Sequence, residues 1–167
     1  MSSGISLDER LGDQIDEILS DLMDRSHAEC ILLVDISGQL INYEGQLEEG
    51  DLSNIAALAA GDMSAMAELS RQIGEEDPHG SFLFEGEDRS LYMFNVASSF
   101  ILIVVFDSDT PVGLIRLLVK RAGEQLHPLT KDFEEMMEAS TGELSEEFGS
   151  GLAEELENAF FSDTFEA

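Results

Sequence analysis

Side chains that could do chemistry are scattered along this chain rather than grouped. Its three histidines, His27, His79 and His127, each lie without a cysteine or a second histidine at metal-site spacing. The stretch "DSDTPVG" begins like a calcium loop but has Val112 where such loops require glycine. Neither a glycine-rich phosphate loop nor a serine nucleophile elbow occurs. We therefore predict no catalytic residue, no metal site and no cofactor.

The densest group of cations lies in the stretch "IRLLVKR" and consists of Arg116, Lys120 and Arg121. Arg116 and Lys120 are four residues apart, so a helix would place them on one face, where they could contact an anionic partner. The dipole of a helix also favours cations in its C-terminal part. From the sequence we prefer the alternative that these side chains pair with Glu124 or with the acidic first helix.

The charge balance narrows the classes of partner. The chain has 36 acidic and 8 basic residues, which gives a formal net charge of −28. Such a charge repels nucleic-acid phosphates and anionic lipids, so we predict neither a nucleic-acid nor a membrane partner. Two interpretations stay open: the charge steers the protein towards basic surfaces, or it only keeps the protein in solution.

The cellular compartment of the protein is predicted from three features of the sequence. The one cysteine, Cys30, lies within an apolar run and is expected in the core. The first residues, "MSSGISLDERLGDQ", lack the basic and apolar regions of a secretory signal. The apolar run at 100–106 is far shorter than the roughly 20 residues of a membrane helix. We expect a cytoplasmic protein.

Hydrophobic periodicity predicts three helices and five strands. Apolar residues three and four apart indicate helices over 6–26, 51–73 and 111–126, and "HPLT" should end the last one. The predicted strands are "AECILLVD", "LINYE", "GSFLFEG", "SLYMFNV" and "FILIVVF". Short turns between them favour antiparallel pairing. The predicted fold class is therefore α/β of the α+β type, a five-stranded mainly antiparallel sheet with helices on both faces.

Two of the strand regions carry further information. The stretch "ILLVDISGQLI" reads as two strands joined by a tight turn, with Gly38 free to adopt positive φ. The unbroken apolar run at 100–106 is typical of a central strand covered on both faces. Phe82 and Phe84 alternate with smaller or polar residues, and this alternation instead indicates a strand near the edge of the sheet.

The second helix contains an unusual number of small residues in addition to its apolar ones. They are Ala56, Ala57, Ala59, Ala60, Gly61, Ser64, Ala65 and Ala67. A helix that is apolar on more than one side is covered on more than one side. One cover would be its own sheet and the other the same helix of a second copy. The alternative is a helix enclosed in its own core.

After Pro128 the composition changes. Residues 127–167 contain 12 acidic residues and one lysine, and we predict this stretch to be an acidic extension, partly helical or disordered, of a domain at 1–126. Phe148, Leu152 and Leu156 form an apolar pattern at helical spacing. We expect the extension to become ordered on a partner. The alternative is that it packs on its own domain.

Several stretches taken together are similar to a known family. They are "ILLVDISGQLI", "DLSNIAALAAGDMSAMAELSRQIG", "SFLFEGEDRSLYMFNV" and "FILIVVFDSDTPVGLIRLLVKRAGEQL". In this order and spacing, residues 7–126 resemble the Roadblock / dynein light-chain family, and within it the bacterial MglB-like regulators of Ras-like small GTPases. The resemblance implies that Asp35, Ser37 and Gly38 form a structural corner.

The resemblance also implies a homodimer, in which the second helices pack together and edge strands join the two sheets, with a GTPase docked over the paired helices. The predicted dimer contacts are Ala56, Ala59, Ala60, Met63, Met66, Ala67, Phe82 and Phe84. The predicted GTPase contacts are Asn54, Ala57, Glu68, Arg71, Gln72, Phe148, Leu152 and Leu156. The acidic extension would bind either the GTPase or another copy of this chain. Regulators of the MglB type activate hydrolysis without donating an arginine, and Arg71 is the candidate here if one were donated.

Two functions from different classes follow from this resemblance. The first is a non-enzymatic regulator that binds a Ras-like small GTPase and modulates its GTP hydrolysis or nucleotide exchange. The second is a light-chain-like scaffold or adaptor with no effect on nucleotide turnover. A hydrolase that uses chance pairs of carboxylates is a remote third possibility.

Overall fold

The computed structural model describes residues 7–76 and 80–161, apart from the side chains of residues 49, 143, 144, 147 and 157–161. The elements in chain order are α1 (Glu9–Ser26), β1 (Cys30–Asp35), β2 (Leu40–Gly45), α2 (Glu49–Gln72), β3 (Ser81–Glu85), β4 (Arg89–Val96), β5 (Phe100–Asp107) and α3 (Val112–Phe161). The predicted first residues of α1 include residue 6, which lies outside the described residues. All predicted strands are present.

The five strands form one sheet in the order β2-β1-β5-β4-β3, and every neighbouring pair is antiparallel. β5 lies at the centre, and its residues Phe100 to Val104 are all buried. β3 lies at one edge, and its Phe82 and Phe84 are half-buried and exposed respectively. β5 is thus the central strand that its apolar run predicted, and β3 is the edge strand that its alternating apolar residues predicted. The predicted fold class is confirmed.

The two faces of the sheet are covered by different helices, because successive strand residues point to opposite sides. α2 packs on the face that includes Met93. The next residue, Phe94, points to the other face, where it meets α3 at Gly123. A Cβ at position 123 would lie only 2.5 Å from Cε1 of Phe94, so the absence of a side chain permits this close packing. α1 and α3 line a common crevice on that side, with α1 contributing Leu22.

The turn between β1 and β2 is fixed by the carboxylate of Asp35, which is only 6% exposed. Its Oδ1 accepts hydrogen bonds from the backbone N–H of Ser37 at 2.9 Å, the hydroxyl of Ser37 at 2.7 Å and the N–H of Gln39 at 2.8 Å. Gly38 adopts a φ of 89°, which favours glycine. The stretch that joins the first two strands is therefore a tight structural turn.

The end of the last helix differs from the prediction. "HPLT" does not stop α3, which runs through Pro128 to Phe161. Pro128 has no N–H to donate to the carbonyl of Glu124, a loss that costs a helix about 3 kcal/mol. Leu126 and Leu129 are buried on either side of the proline, and their burial offsets that cost. The apolar periodicity of the helix therefore outweighs the local stop signal.

By internal contacts the chain divides into two compact units, Met1–Asp132 and Phe133–Ala167. The first unit holds the sheet, α1, α2 and the first part of α3. The second unit consists, where the structure describes it, of the remainder of α3. The predicted domain boundary after residue 126 stays a prediction.

Candidate interaction surface

The inner side of α2 belongs to the core of the protein. Leu52, Ala56, Ala59 and Met63 are between 0 and 8% exposed and form one cluster with side chains of the sheet. The sheet members of this cluster are Cys30, Leu32, Val34, Met93, Ile101 and Ile103. The predicted dimer contacts Ala56, Ala59 and Met63 therefore pack against the protomer's own sheet, and their contact with a second copy stays a prediction.

Packing within the protomer accounts for part of the small-residue content of α2. The turn between β1 and β2 lies directly against the helix, so that a Cβ on Gly38 would be 3.0 Å from Cα of Ala57 and 3.4 Å from Cβ of Ala60. A larger side chain at position 60 would push the turn away from α2. The small size of Ala60 is thus explained by packing of the turn, without a second copy.

The outer side of α2 is turned away from the sheet and exposes two large apolar side chains. Leu58 is 70% exposed and Leu69 is 58% exposed. Gly61 and Ala65 lie between them on the same side of the helix and are also exposed. We call Leu58, Gly61, Ala65 and Leu69 the outer stripe. Such a continuous apolar strip on a surface helix is typical of a protein interface.

The outer stripe was missed in the sequence because its small residues do not stand out among the others. The 100° rotation per residue of a helix could have located the stripe. If Leu52, Ala56 and Met63 face the sheet, Leu58 and Ala65 lie about half a turn away from them. The sequence alone, however, does not tell which of two apolar sides meets the sheet.

Four of the predicted GTPase contacts in α2, namely Asn54, Glu68, Arg71 and Gln72, are exposed. Glu68 connects two of them, because its carboxylate forms an ion pair with Arg71 and its Oε1 accepts a hydrogen bond of 2.9 Å from Nε2 of Gln72. The three side chains thus form a polar group beside the outer stripe. The fifth, Ala57, is also exposed, with its backbone against the turn.

The remaining predicted dimer contacts lie along one side of α2 and on β3. Met66, Ala67 and Phe82 line an open groove of about 480 Å³ between the helix and the edge of the sheet. Ala60 lines a smaller groove of about 180 Å³ nearby, together with Ile36 of the turn, which is 61% exposed. Phe84 is 55% exposed. These side chains are accessible at or near the β3 edge.

The cations of α3 do not have the predicted partners. Arg116, Lys120 and Arg121 are exposed, and within the described residues neither Glu124 nor an acidic residue of α1 forms an ion pair with them. For Lys120 and Glu124 the order along the helix is the less favourable one, since a glutamate placed four residues before a lysine stabilises a helix better than the reverse.

The predicted GTPase contacts of the extension belong to the second unit. Phe148, Leu152 and Leu156 are exposed by 72%, 48% and 49%. They follow one another at intervals of four residues in α3 and therefore share one side of the helix. A row of large exposed apolar side chains is typical of a surface that binds a partner.

The structure adds three findings on chemistry and membranes. In the described parts of the chain, no three histidine, cysteine or acidic side chains are arranged to hold a metal ion, and His79 lies outside these parts. Burial raises the pKa of the Cys30 thiol from 9.0 to about 11, so this cysteine is a poor nucleophile at neutral pH. No helix within the described residues is long and apolar enough to cross a membrane.

Comparison with known proteins identifies several similar structures. MglB of Myxococcus xanthus is 38% identical, with 71% of this chain and 96% of that chain covered and a TM-score of 0.66. The gliding protein MglB of Thermus thermophilus is 26% identical, with 75% and 95% covered and a TM-score of 0.69. A structure described as MglB with a tetrameric arrangement is 25% identical, with 75% and 94% covered and a TM-score of 0.68.

The search of curated proteins gave no match. The family model of the Roadblock/LC7 domain matches residues 14–106, which include α2, β1 to β4 and all of β5 except its last residue. This match spans more than half of the chain and contains the outer stripe of α2. The chain therefore belongs to the Roadblock/LC7 family.

Proposed function

We propose that this protein is a homodimeric, non-enzymatic regulator that binds a Ras-like small GTPase in the cytoplasm and changes its GTP hydrolysis or nucleotide exchange. Members of its family act as regulators or adaptors rather than as enzymes. The similarity to MglB structures favours a regulator. The observation that carries the proposal is the outer stripe of α2, a surface suited to proteins and not to small substrates.

Dimerisation is assigned to the outer stripe and the β3 edge. Gly61 and Ala65 permit two helices to approach closely, while Leu58 and Leu69 supply apolar area on either side of them. β3 is an edge strand, and an edge strand can pair with the same strand of another copy. Phe84 would be covered in such a dimer. In this assignment Ala56, Ala59 and Met63 support the helix from the core side.

The GTPase is assigned to the polar group beside the stripe, with Asn54 near one end of α2 and Glu68, Arg71 and Gln72 near the other. Arg71 is already paired with Glu68, so its charge is oriented by its own helix. We expect Arg71 to contribute to affinity. An arginine donated to the transition state would instead change the rate of hydrolysis by about 10³-fold or more.

The test uses the purified full chain and the Ras-like GTPase encoded nearest to it. GTP hydrolysis and release of labelled GDP are measured with wild type, with an Arg71→Ala/Gln72→Ala variant, and with Arg89→Ala as a control. Arg89 is a surface arginine of β4 that pairs with Glu29, away from α2. We expect the double variant to bind about tenfold more weakly and the control to behave as wild type.

The outcomes separate the two functions considered from the sequence. Binding together with a changed hydrolysis or exchange rate supports the regulator. Binding without any change in either rate would make the protein a scaffold, and the regulatory part of the proposal would be wrong. If no binding occurs at micromolar concentration, the GTPase assignment fails as a whole.

A further inference from the structure

The outward side of α3 in the first unit is basic, although the chain as a whole is strongly acidic. Arg116, Lys120 and Arg121 surround Leu117, which is 66% exposed, and we call these four residues the basic strip. They include three of the eight lysines and arginines in a chain of net charge −28. This concentration of positive charge around an exposed leucine has no role in the proposed dimer or GTPase contacts.

Within the described residues no acid forms an ion pair with the basic strip, not even Glu124, which lies one helical turn after Lys120 and Arg121. Arg121 lines a groove of about 460 Å³ together with Glu17 and Asp21 of α1, yet neither acid pairs with it. Asp21 is occupied by Arg25, whose Nε lies 2.7 Å from the Asp21 carboxylate. Within the described residues the three cations of the strip are thus left to attract a negatively charged partner.

The second unit has the complementary chemistry. Phe148, Leu152 and Leu156 form its exposed apolar row, which we call the tail stripe. Helical geometry places Glu155 at one border of the tail stripe, and Glu154 lies next to it in sequence. The chain has no lysine or arginine after Lys131. This segment therefore offers apolar side chains beside negative charge, where the basic strip offers an apolar side chain beside positive charge.

We propose that the tail stripe of one copy binds the basic strip of another copy. Leu117 would be covered by the apolar side chains of the tail, and the cations would be attracted by Glu155 at the border of the tail stripe and by the net negative charge of the tail. Of the two partners that the sequence left open for the tail, we choose another copy, because each copy has a basic surface with an exposed leucine that complements the acidic, apolar tail.

Disulfide trapping with the full chain tests the contact directly. One copy has Lys120→Cys and one affinity tag, and the other has Glu155→Cys and a different tag. The native Cys30 is 1% exposed with a raised pKa, so it does not compete. We expect a disulfide that joins the two tags. A matched pair with Arg10→Cys in place of Lys120→Cys, an exposed cation of α1, should give none.

Charge reversal tests whether the cations of the basic strip bind the tail of the other copy. Arg116→Glu with Arg121→Glu, added to the Lys120→Cys copy, should lower the yield of the trapped pair about tenfold. Arg10→Glu with Arg89→Glu gives the same net charge and should leave the yield unchanged.

Three results would overturn the proposal. The first is a disulfide found only within single chains, which would mean that the tail folds onto its own domain. The second is an equal loss of trapping in both charge-reversal variants, which would reduce the effect to net charge. The third is a tail cysteine that is trapped only by the GTPase and never by a second copy.

Discussion

Two neighbouring substitutions in α2 distinguish its inner from its outer side. Ala59→Asp and Leu58→Asp add the same charge one residue apart, so the change in net charge is matched. Ala59 is 5% exposed in the core cluster, whereas Leu58 is 70% exposed. We predict that Ala59→Asp destabilises the protomer itself and that Leu58→Asp mainly dissociates the dimer.

The magnitudes follow from this difference in burial. At position 59 an unpaired carboxyl group costs about 2–4 kcal/mol of desolvation, and its extra volume costs about 1–3 kcal/mol more. We expect the melting temperature of Ala59→Asp to fall by about 10–20 °C. At position 58 the side chain stays in water in the protomer, so its unfolding free energy should change by about 0.5 kcal/mol or less.

The assay is thermal unfolding at several protein concentrations together with sedimentation equilibrium. A dimer makes the melting temperature rise with protein concentration, and Leu58→Asp should remove this dependence. Leu114→Asp, at a 40% exposed leucine of α3 on the opposite face of the sheet, serves as the control and should keep it. The reasoning is refuted if Leu58→Asp lowers the melting temperature as much as Ala59→Asp at every concentration, or if the wild type is a folded monomer.

Further predictions concern the turn, the proline of α3, the buried thiol and the net charge. Gly38→Ala should cost about 1–3 kcal/mol of unfolding free energy, because it combines a positive φ with a 3.0 Å approach to Ala57, and a denaturant titration measures this cost. Pro128→Ala should raise the melting temperature by restoring a hydrogen bond within α3, and an unchanged value would indicate that the helix ends before the proline. The pKa of Cys30, raised to about 11, favours the protonated thiol in the folded state. Its stabilisation is therefore complete below pH 9 and lost as the pH rises to about 11, a loss that Cys30→Ala should not show in pH-dependent unfolding. If the charge of −28 steers association, the rate of GTPase binding should fall with salt, and a constant rate would leave solubility as its role.

Most of the fold could be predicted because it depends on signals that are local in sequence. The strands of the sheet are short apolar runs separated by turns, and turn length alone favours antiparallel neighbours. The central position of β5 followed from its continuous apolar run, and the hairpin turn followed from Asp35 and Gly38. Each of these features is decided within about ten residues, where sequence patterns are most informative.

The end of α3 could not be predicted from local signals, because two of them disagree. Pro128 is a stop signal, whereas the spacing of Leu126 and Leu129 continues the apolar side of the helix. The outcome depends on how much apolar surface the helix buries against the rest of the protein, which is a tertiary quantity. The missing partners of Arg116 and Lys120 have a similar cause, since pairing depends on side-chain positions that spacing does not specify.

The small-residue content of α2 did not reveal from the sequence which side of the helix meets a partner. Small residues permit close approach, and α2 needs close approach on two sides for different reasons: Ala60 admits the turn at Gly38, while Gly61 and Ala65 leave room on the outer side. The count of small residues is the same whichever side meets the sheet. An exposed Leu58 between small neighbours is the more specific feature, since packing within the protomer does not explain it. The case for a partner on α2 therefore rests on its exposed leucine side chains more than on its small residues.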